Sequence, residues 1–341
     1  MFSFNKNKKK LNRTLIIAEV SANHCGSKKK FLQHILKAKE FGADLVKIQT
    51  YEPQDMVVKK NFCIKSGLWK GKNLWKLYKQ ACTPFSWHED AFKLAKKNKI
   101  NLFSSPFSLR ALNFLNKFKP SIYKVASFEL TDHKLLNEIA KLKKPIILST
   151  GLSSISEIKS AIKIIKRYHN KIILLYCISG YPTPLSEINF NEIKKIKNAT
   201  KIKKVGFSDH TSGIEASLEA ISRNVYLIER HFTLKRETKS PDVKFSIIPE
   251  ELKILKNYSL SKKFFSQTNK KKLSENHSKI FRRSIYAIKN IKRGEKFTSK
   301  NIDCFRPNIG YGSENYFKII NKRATKNINK FEVLRKNSIR F

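Results

Sequence analysis

The stretch Lys204–Phe232, KVGFSDHTSGIEASLEAISRNVYLIERHF, decides the fold. Its ends, "KVGFSDH" and "YLIERHF", are short apolar runs of strand type, and the segment between them is helical in pattern. Each run closes on a histidine, His210 and His231, twenty-one residues apart. The same alternation reaches back to Leu15 through "LIIAEVS", "DLVKIQT", "NLFSSPF", "IYKVAS", "PIILST" and "KIILLYC". Such runs suit a parallel sheet buried on both faces. A helix is predicted from Lys28 to Phe41, stopped by Gly42. Another starts at a Ser154/Glu157 capping box, with Ile155, Ile158, Ile162 and Ile165 on one stripe. The connection over residues 51–99 is the longest and must hold extra structure. Eight strand–helix units in roughly 240 residues predict a (β/α)8 TIM barrel. The first turn, "SANHCGS", is not the G-x-G-x-x-G of a dinucleotide site.

Composition narrows the class. The 341 residues are 40% hydrophobic, enough for a packed core. No apolar run is long enough to span a membrane, and "MFSFNKNKKK" lacks the apolar stretch of a secretory signal. Five scattered cysteines read as free thiols in a reducing cytosol, so a cytoplasmic location is expected. The net charge of +45 raises the question of nucleic acid. The basic residues are 58 Lys and 13 Arg spread over the polar helix faces, without a clustered motif, which argues for no nucleic-acid partner. The excess would still steer anions toward the surface. The reading divides the chain into a barrel (1–258), a polar linker (259–280) and a β-rich module (281–341) too small to stand easily alone.

In such barrels chemistry collects at the C-terminal strand ends. Here those ends carry Glu19, Asn23 and His24; Lys47 and Gln49; Ser105; Lys124, Ser127 and Glu129; Ser149; Ser179 and Tyr181; Ser208 and His210; Glu229 and His231. Strand alternation makes Lys47 and Gln49 face one way, as it does Ser208 with His210 and Glu229 with His231. Buried lysines are costly unless an anion meets them, so two of them among serines imply an anionic ligand. His210 and His231 on neighbouring strands fit a divalent metal such as Mn²⁺, Zn²⁺ or Fe²⁺. Asp209 has the opposite parity and would serve behind the ligands. A lone strand-end histidine is more often an ordinary hydrogen-bonded residue; the adjacency of two favours the metal. Glu229 reads equally as a structural partner of the lysines or a catalytic group. His34, His133, His169 and His277 read as surface residues, and His88 stays open between helix capping and substrate contact.

Taken together, "IIAEVSANHCGS", "ADLVKIQTY", "FSSPF", "YKVASFE", "ILSTG", "GFSDHT", "IERHFT" and "SPDVKFS" resemble the sialic acid synthase family. The tail "RRSIYAIKNIKRGEKFTSKNIDCFRP" is similar to its antifreeze-like (SAF-type) domain. The resemblance implies condensation of phosphoenolpyruvate with an N-acylated amino sugar to a nine-carbon 2-keto acid. "SGLWKGKNLWKLYKQACTPFSWHEDAF" and "CISGYPTP" are most like the pseudaminic acid branch; the sialic and legionaminic acid branches are the alternatives. Further alternatives are a metal-dependent pyruvate aldolase and a basic binding protein. By resemblance His210 and His231 hold the metal, usually Mn²⁺, with Mg²⁺ or Co²⁺ as substitutes. Lys47, Ser105, Lys124, Ser127, Ser149, Ser179 and Ser208 match phosphoenolpyruvate contacts. Glu19, Gln49, Tyr181 and Asp242 match residues near sugar, metal or attacking water, and Glu129 falls in the same substrate-binding set. Arg306 matches a catalytic arginine that one subunit of a domain-swapped homodimer lends to the other. The chain departs from the family at Cys25 (commonly Asn), at Ser240 (usually Gly) and after Pro307, where the usual glycine is missing. The long second connection is expected to read substituents at the sugar's C4 and C6.

Overall fold

The computed structural model describes residues 13–236, 239–261 and 273–340. Eight parallel strands form its centre: β1 Leu15–Glu19, β2 Leu45–Thr50, β3 Leu102–Pro106, β4 Tyr123–Val125, β5 Ile146–Ser149, β6 Ile172–Cys177, β7 Val205–Asp209 and β8 Leu227–Phe232. Each pairs with the next, and β8 pairs back onto β1 from Leu15↔Leu227 to Glu19↔His231, closing the barrel. A ninth short strand, β9 Ser246–Ile247, hangs on β8.

Helices alternate with the strands on the outside. The helix Lys28–Glu40 starts where the Ser27 side chain accepts from Lys30 N, and the chain then turns at Gly42 with φ +107°. A Cβ there would also meet Lys256 Cγ at 2.6 Å, so glycine is required twice over. The Ser154/Glu157 capping box forms and opens the helix Ile155–Lys166, which buries Ile158, Ala161, Ile162 and Ile165 against the strands. Each such isoleucine contributes about 1.5–3 kcal/mol by leaving water. The long connection after β2 holds two extra helices, Pro53–Met56 and Leu74–Ala81, before His88–Lys97.

Strand parity splits the core in two. Even positions such as Ile16, Ala18, Val46 and Ile48 face the helices. Odd positions of the first strands (Leu15, Ile17, Leu45, Phe103) join Ile147, Ile173, Leu175 and Leu227 inside the barrel. That inner column is apolar at the bottom; one step up it turns polar.

The C-terminal module has its own core around Ile285, Phe297, Ile302, Ile319 and Leu334. Its strands β10 Ser284–Ala287 and β11 Ile302–Phe305 pair antiparallel. It docks on the barrel through arginines: Arg283 donates to Asp55 O (3.0 Å) and to Phe107 O, and Arg306 N donates to Met56 O (3.0 Å). The boundary read at 258 falls inside the helix Pro249–Ser261, and Leu273–Phe281 is a 3-10 segment packed on the barrel, not a loose tether. Residues 262–272 of the expected linker lie outside the described residues. Among the described residues no helix is long and apolar enough to cross a membrane.

Candidate active site

The polar layer at the top of the inner column is set by register. Glu19 lies beside Lys47 on one side and His231 on the other, and Ser208 lies beside Glu229. Lys47 Nζ bridges Glu19 and Glu229, the latter at 3.2 Å. Lys124 Nζ stands 3.5 Å from Glu229 and donates to Ser149 Oγ at 2.8 Å. All four charged groups are buried. Burial alone would raise Glu229; the ammonium groups of Lys124 and Lys47 outweigh it and pull its carboxyl down to about 2. Glu19 goes the other way, raised by burial despite Lys47 and His231. Lys124 is lowered by burial, and Lys47 is raised because its two carboxylates more than offset burial. Glu229 therefore acts as the shared counter-ion of both lysines.

Serines surround this quartet. Ser127 Oγ accepts from Gly151 N at 3.1 Å and lies 3.0 Å from Cys177 Sγ. A Cβ on Gly151 would sit 2.3 Å from Ser179 Oγ and 2.9 Å from Ser127 Oγ, so the two hydroxyls converge over that glycine. Ser105 Oγ is buried with no hydrogen-bond partner, as a hydroxyl awaiting a ligand would be. Glu275, from the 3-10 segment Leu273–Phe281, accepts from Leu152 N (3.0 Å) and Ser179 N (3.2 Å) beside this cluster.

The histidines meet. Their ring centroids are 5.6 Å apart at 63°. His210 Nδ1 donates to Ile178 O at 3.0 Å, which fixes the tautomer and leaves Nε2 as a lone-pair donor. Burial, helped by His231, lowers His210 to about 3, so the imidazole is neutral. His231 Nδ1 is buried without a hydrogen bond and 3.6 Å from Asp242 Oδ2. A neutral imidazole and an unpartnered ring nitrogen fit a divalent cation. Among the described residues no three His, Cys, Asp or Glu side chains converge as a ligand set, so most of the coordination would fall to water and substrate.

Above the rim lies a cavity of roughly 740 Å³, its open mouth included, lined on its polar side by Ser21, Gln49, Tyr181, His231, Asp242 and Arg306. Asp242 Oδ2 accepts from Ala22 N at 3.2 Å. Burial would raise this carboxyl, but His231, Ser21 and Ala22 together bring it down. Tyr181 lays its ring 4.5 Å from that of His210. Arg306 is buried; its guanidinium donates to Glu129 at 2.5 Å and to Tyr78 Oη, with the Phe128 ring 4.9 Å away. Burial opposes the charge on Arg306, and Glu129 and Tyr78 outweigh that effect. This arginine meets the barrel of its own chain; exchange between two copies, which the resemblance implies, would put the same pair across a subunit boundary.

Several residues stand elsewhere than expected. Asp209 faces outward and pairs with Arg230 at 2.8 Å and Ser217 at 2.5 Å, so it bolts β7 to its neighbours instead of backing the metal ligands. His24 is buried against Phe31 and Trp87, not at the mouth. His34 is buried, not a surface residue: its helix turns it inward, where Nδ1 bonds Lys30 O. His88 joins Thr50 Oγ1 at 2.9 Å and is structural. Sequence reasoning missed Tyr78, Trp69, Phe245, Phe281 and Glu275, which reach the site from segments far apart in the chain. The run of aromatic residues in 62–87 was the one signal for the first two.

A barrel whose rim sets two buried lysines and a ring of serines beside two adjacent imidazoles is built as an enzyme's active site. The chain belongs to the NeuB family, whose profile matches residues 34–270, with a SAF domain at residues 282–340. It is 38% identical to a pseudaminic acid synthase of Campylobacter jejuni subsp. jejuni over 344 residues, covering 99% of both chains. It is 35% identical to an N,N'-diacetyllegionaminic acid synthase of the same species, covering 95% of this chain and all of that one. The crystal structure of the spore coat polysaccharide biosynthesis protein spsE of Bacillus subtilis superposes with a TM-score of 0.83 at 25% identity, covering 96% of each chain.

Proposed function

We propose that the chain makes pseudaminic acid from phosphoenolpyruvate, 2,4-diacetamido-2,4,6-trideoxy-L-altrose and water, releasing phosphate. The observation that carries this reading is the shared rim. Two buried lysines with serine hydroxyls share one barrel rim with His210 and His231, and His231 also lines the adjoining cavity. The similarity to a pseudaminic acid synthase over nearly the whole chain supports the choice of sugar.

His210 and His231 would hold the cation, Mn²⁺ first among the divalent candidates. When bound, it supplies Lewis acidity at the sugar's aldehyde oxygen. Lys47 and Lys124, with Ser105, Ser127, Ser149, Ser179 and Ser208, neutralise and orient the phosphate and carboxylate of the enol phosphate. C3 of phosphoenolpyruvate forms the new bond to the aldehyde carbon, and its π electrons leave positive charge at C2. Water adds there. Asp242 faces the cavity and takes the water's proton; Glu19, fully buried, orients Lys47 from behind. The tetrahedral carbon then expels phosphate by C–O cleavage, giving the 2-keto acid. Gln49, Tyr181 and Glu129 line or brace the sugar's side, and Arg306 adds a positive charge over it.

The test is phosphate release with phosphoenolpyruvate, Mn²⁺ and three sugars: the trideoxy altrose, N-acetylmannosamine and the legionaminic precursor. The highest kcat/KM is expected for the first. A preference for either other sugar overturns the pseudaminic reading, and no phosphate with any overturns the synthase reading.

A further inference from the structure

We propose that Trp69 determines sugar specificity: its indole is an apolar wall that accepts a deoxygenated, N-acylated sugar tail and disfavours a hydroxylated one. The proposal rests on the synthase reading above. Trp69 comes from the long connection after β2 and lines the cavity. It is held rigidly. Nε1 donates to Pro241 O at 3.3 Å, and the ring packs on Tyr181 (5.6 Å), Phe281 (6.2 Å) and Phe245 (6.4 Å). With its one donor engaged, the ring offers only carbon to a ligand.

Position links this wall to the chemistry. Tyr181 covers His210, and Phe245 stands 4.8 Å from His231. Trp69 is thus one aromatic layer beyond the imidazoles. A sugar whose aldehyde lies at the imidazoles must run its far end along the indole. The cavity is also lined by the carbon side chains of Leu77, Phe107 and Phe128, which, like the indole face, cannot pair a hydroxyl. A hydroxyl there would lose its water without a replacement, whereas a methyl group would fill carbon-lined space. The polar groups Gln49, Tyr78, His231, Asp242 and Arg306 line the same cavity. The indole thus offers the sugar an apolar face in a cavity whose other contacts are partly polar.

The test compares wild type, Trp69→Ala and Trp69→Phe on the trideoxy altrose and on its 6-hydroxy counterpart, with N-acetylmannosamine as a reference. A sugar that is not turned over is measured as an inhibitor. Trp69→Ala is expected to lose about ten- to hundredfold in kcat/KM for the trideoxy sugar, mostly in KM, and under about threefold for the 6-hydroxy sugar. KM for phosphoenolpyruvate should hold in both variants, and Trp69→Phe should restore most of the preference. Equal losses on both sugars, or no loss on either, overturn the role of Trp69. A wild type that prefers N-acetylmannosamine overturns the pseudaminic reading itself, a failure visible before any variant is made.

Discussion

Replacing Arg306 by methionine should cost the fold about 3 kcal/mol. The guanidinium and Glu129 are both buried, 2.5 Å apart at their nearest atoms. Opposite charges about 4 Å apart attract by about 4 kcal/mol at an effective dielectric near 20. Arg283 Nε, 3.8 Å from Glu129, recovers part of this once Arg306 is gone. Methionine keeps most of the packing against Phe128 and Tyr78, so the loss isolates the charge. It leaves Glu129 buried with a weaker partner, the situation that makes broken buried pairs expensive. Adding Glu129→Gln to Arg306→Met should return about 2 kcal/mol, because the stranded charge disappears. Urea unfolding of the wild type, both single variants and the double variant measures this. A loss under about 1 kcal/mol for Arg306→Met, or a double variant that costs the sum of the singles, would refute the reasoning.

Other outcomes follow from the same site. His210→Ala should lose at least about a thousandfold in kcat while unfolding like the wild type, and the wild type should lose activity in a chelator and regain it with Mn²⁺; full turnover by the variant in chelator would exclude the metal role. Lys124→Met should lower kcat/KM for phosphoenolpyruvate about a hundredfold and leave the sugar's KM nearly unchanged, as steady-state kinetics with each substrate varied in turn will show. Burial holds His24, His34 and His88 at about 4 each, against an ordinary 6.5. The unfolded chain takes up protons that the folded one refuses, so the histidine contribution to stability should fall by about 1 kcal/mol per histidine per pH unit as pH drops from about 6.5 to about 4, and level off below. His34→Gln should make that urea-midpoint curve shallower by one histidine's share; an unchanged slope would contradict it.

The barrel was legible because its signals are local. Apolar runs, the Ser154/Glu157 box and Gly42 each act within a few residues, and the structure places them as read. The upper layer followed from parity alone: Lys47 with Gln49, and Glu229 with His231, needed only the two-residue repeat of a strand. What stayed hidden depends on contacts between distant segments. Trp69 is placed by Pro241 and Phe281, and Glu275 by amides at 152 and 179; nothing near them in the chain announces those partners. His34 was misread because a helix that looks polar, with five lysines, turns one imidazole inward.

The quartet of Lys47, Lys124, Glu19 and Glu229 carries no net charge when all four are ionised. The barrel's polar layer is accordingly self-balanced and can close during folding by its own ion pairs. The trianion of the proposed reaction would not find vacant ammonium groups; it would have to draw them away from carboxylates already in place. On the proposed reaction, that competition would temper its affinity and let inorganic phosphate depart once the bond to carbon is cut, so the carboxylates that calm the resting barrel would also keep it from being trapped by its own product.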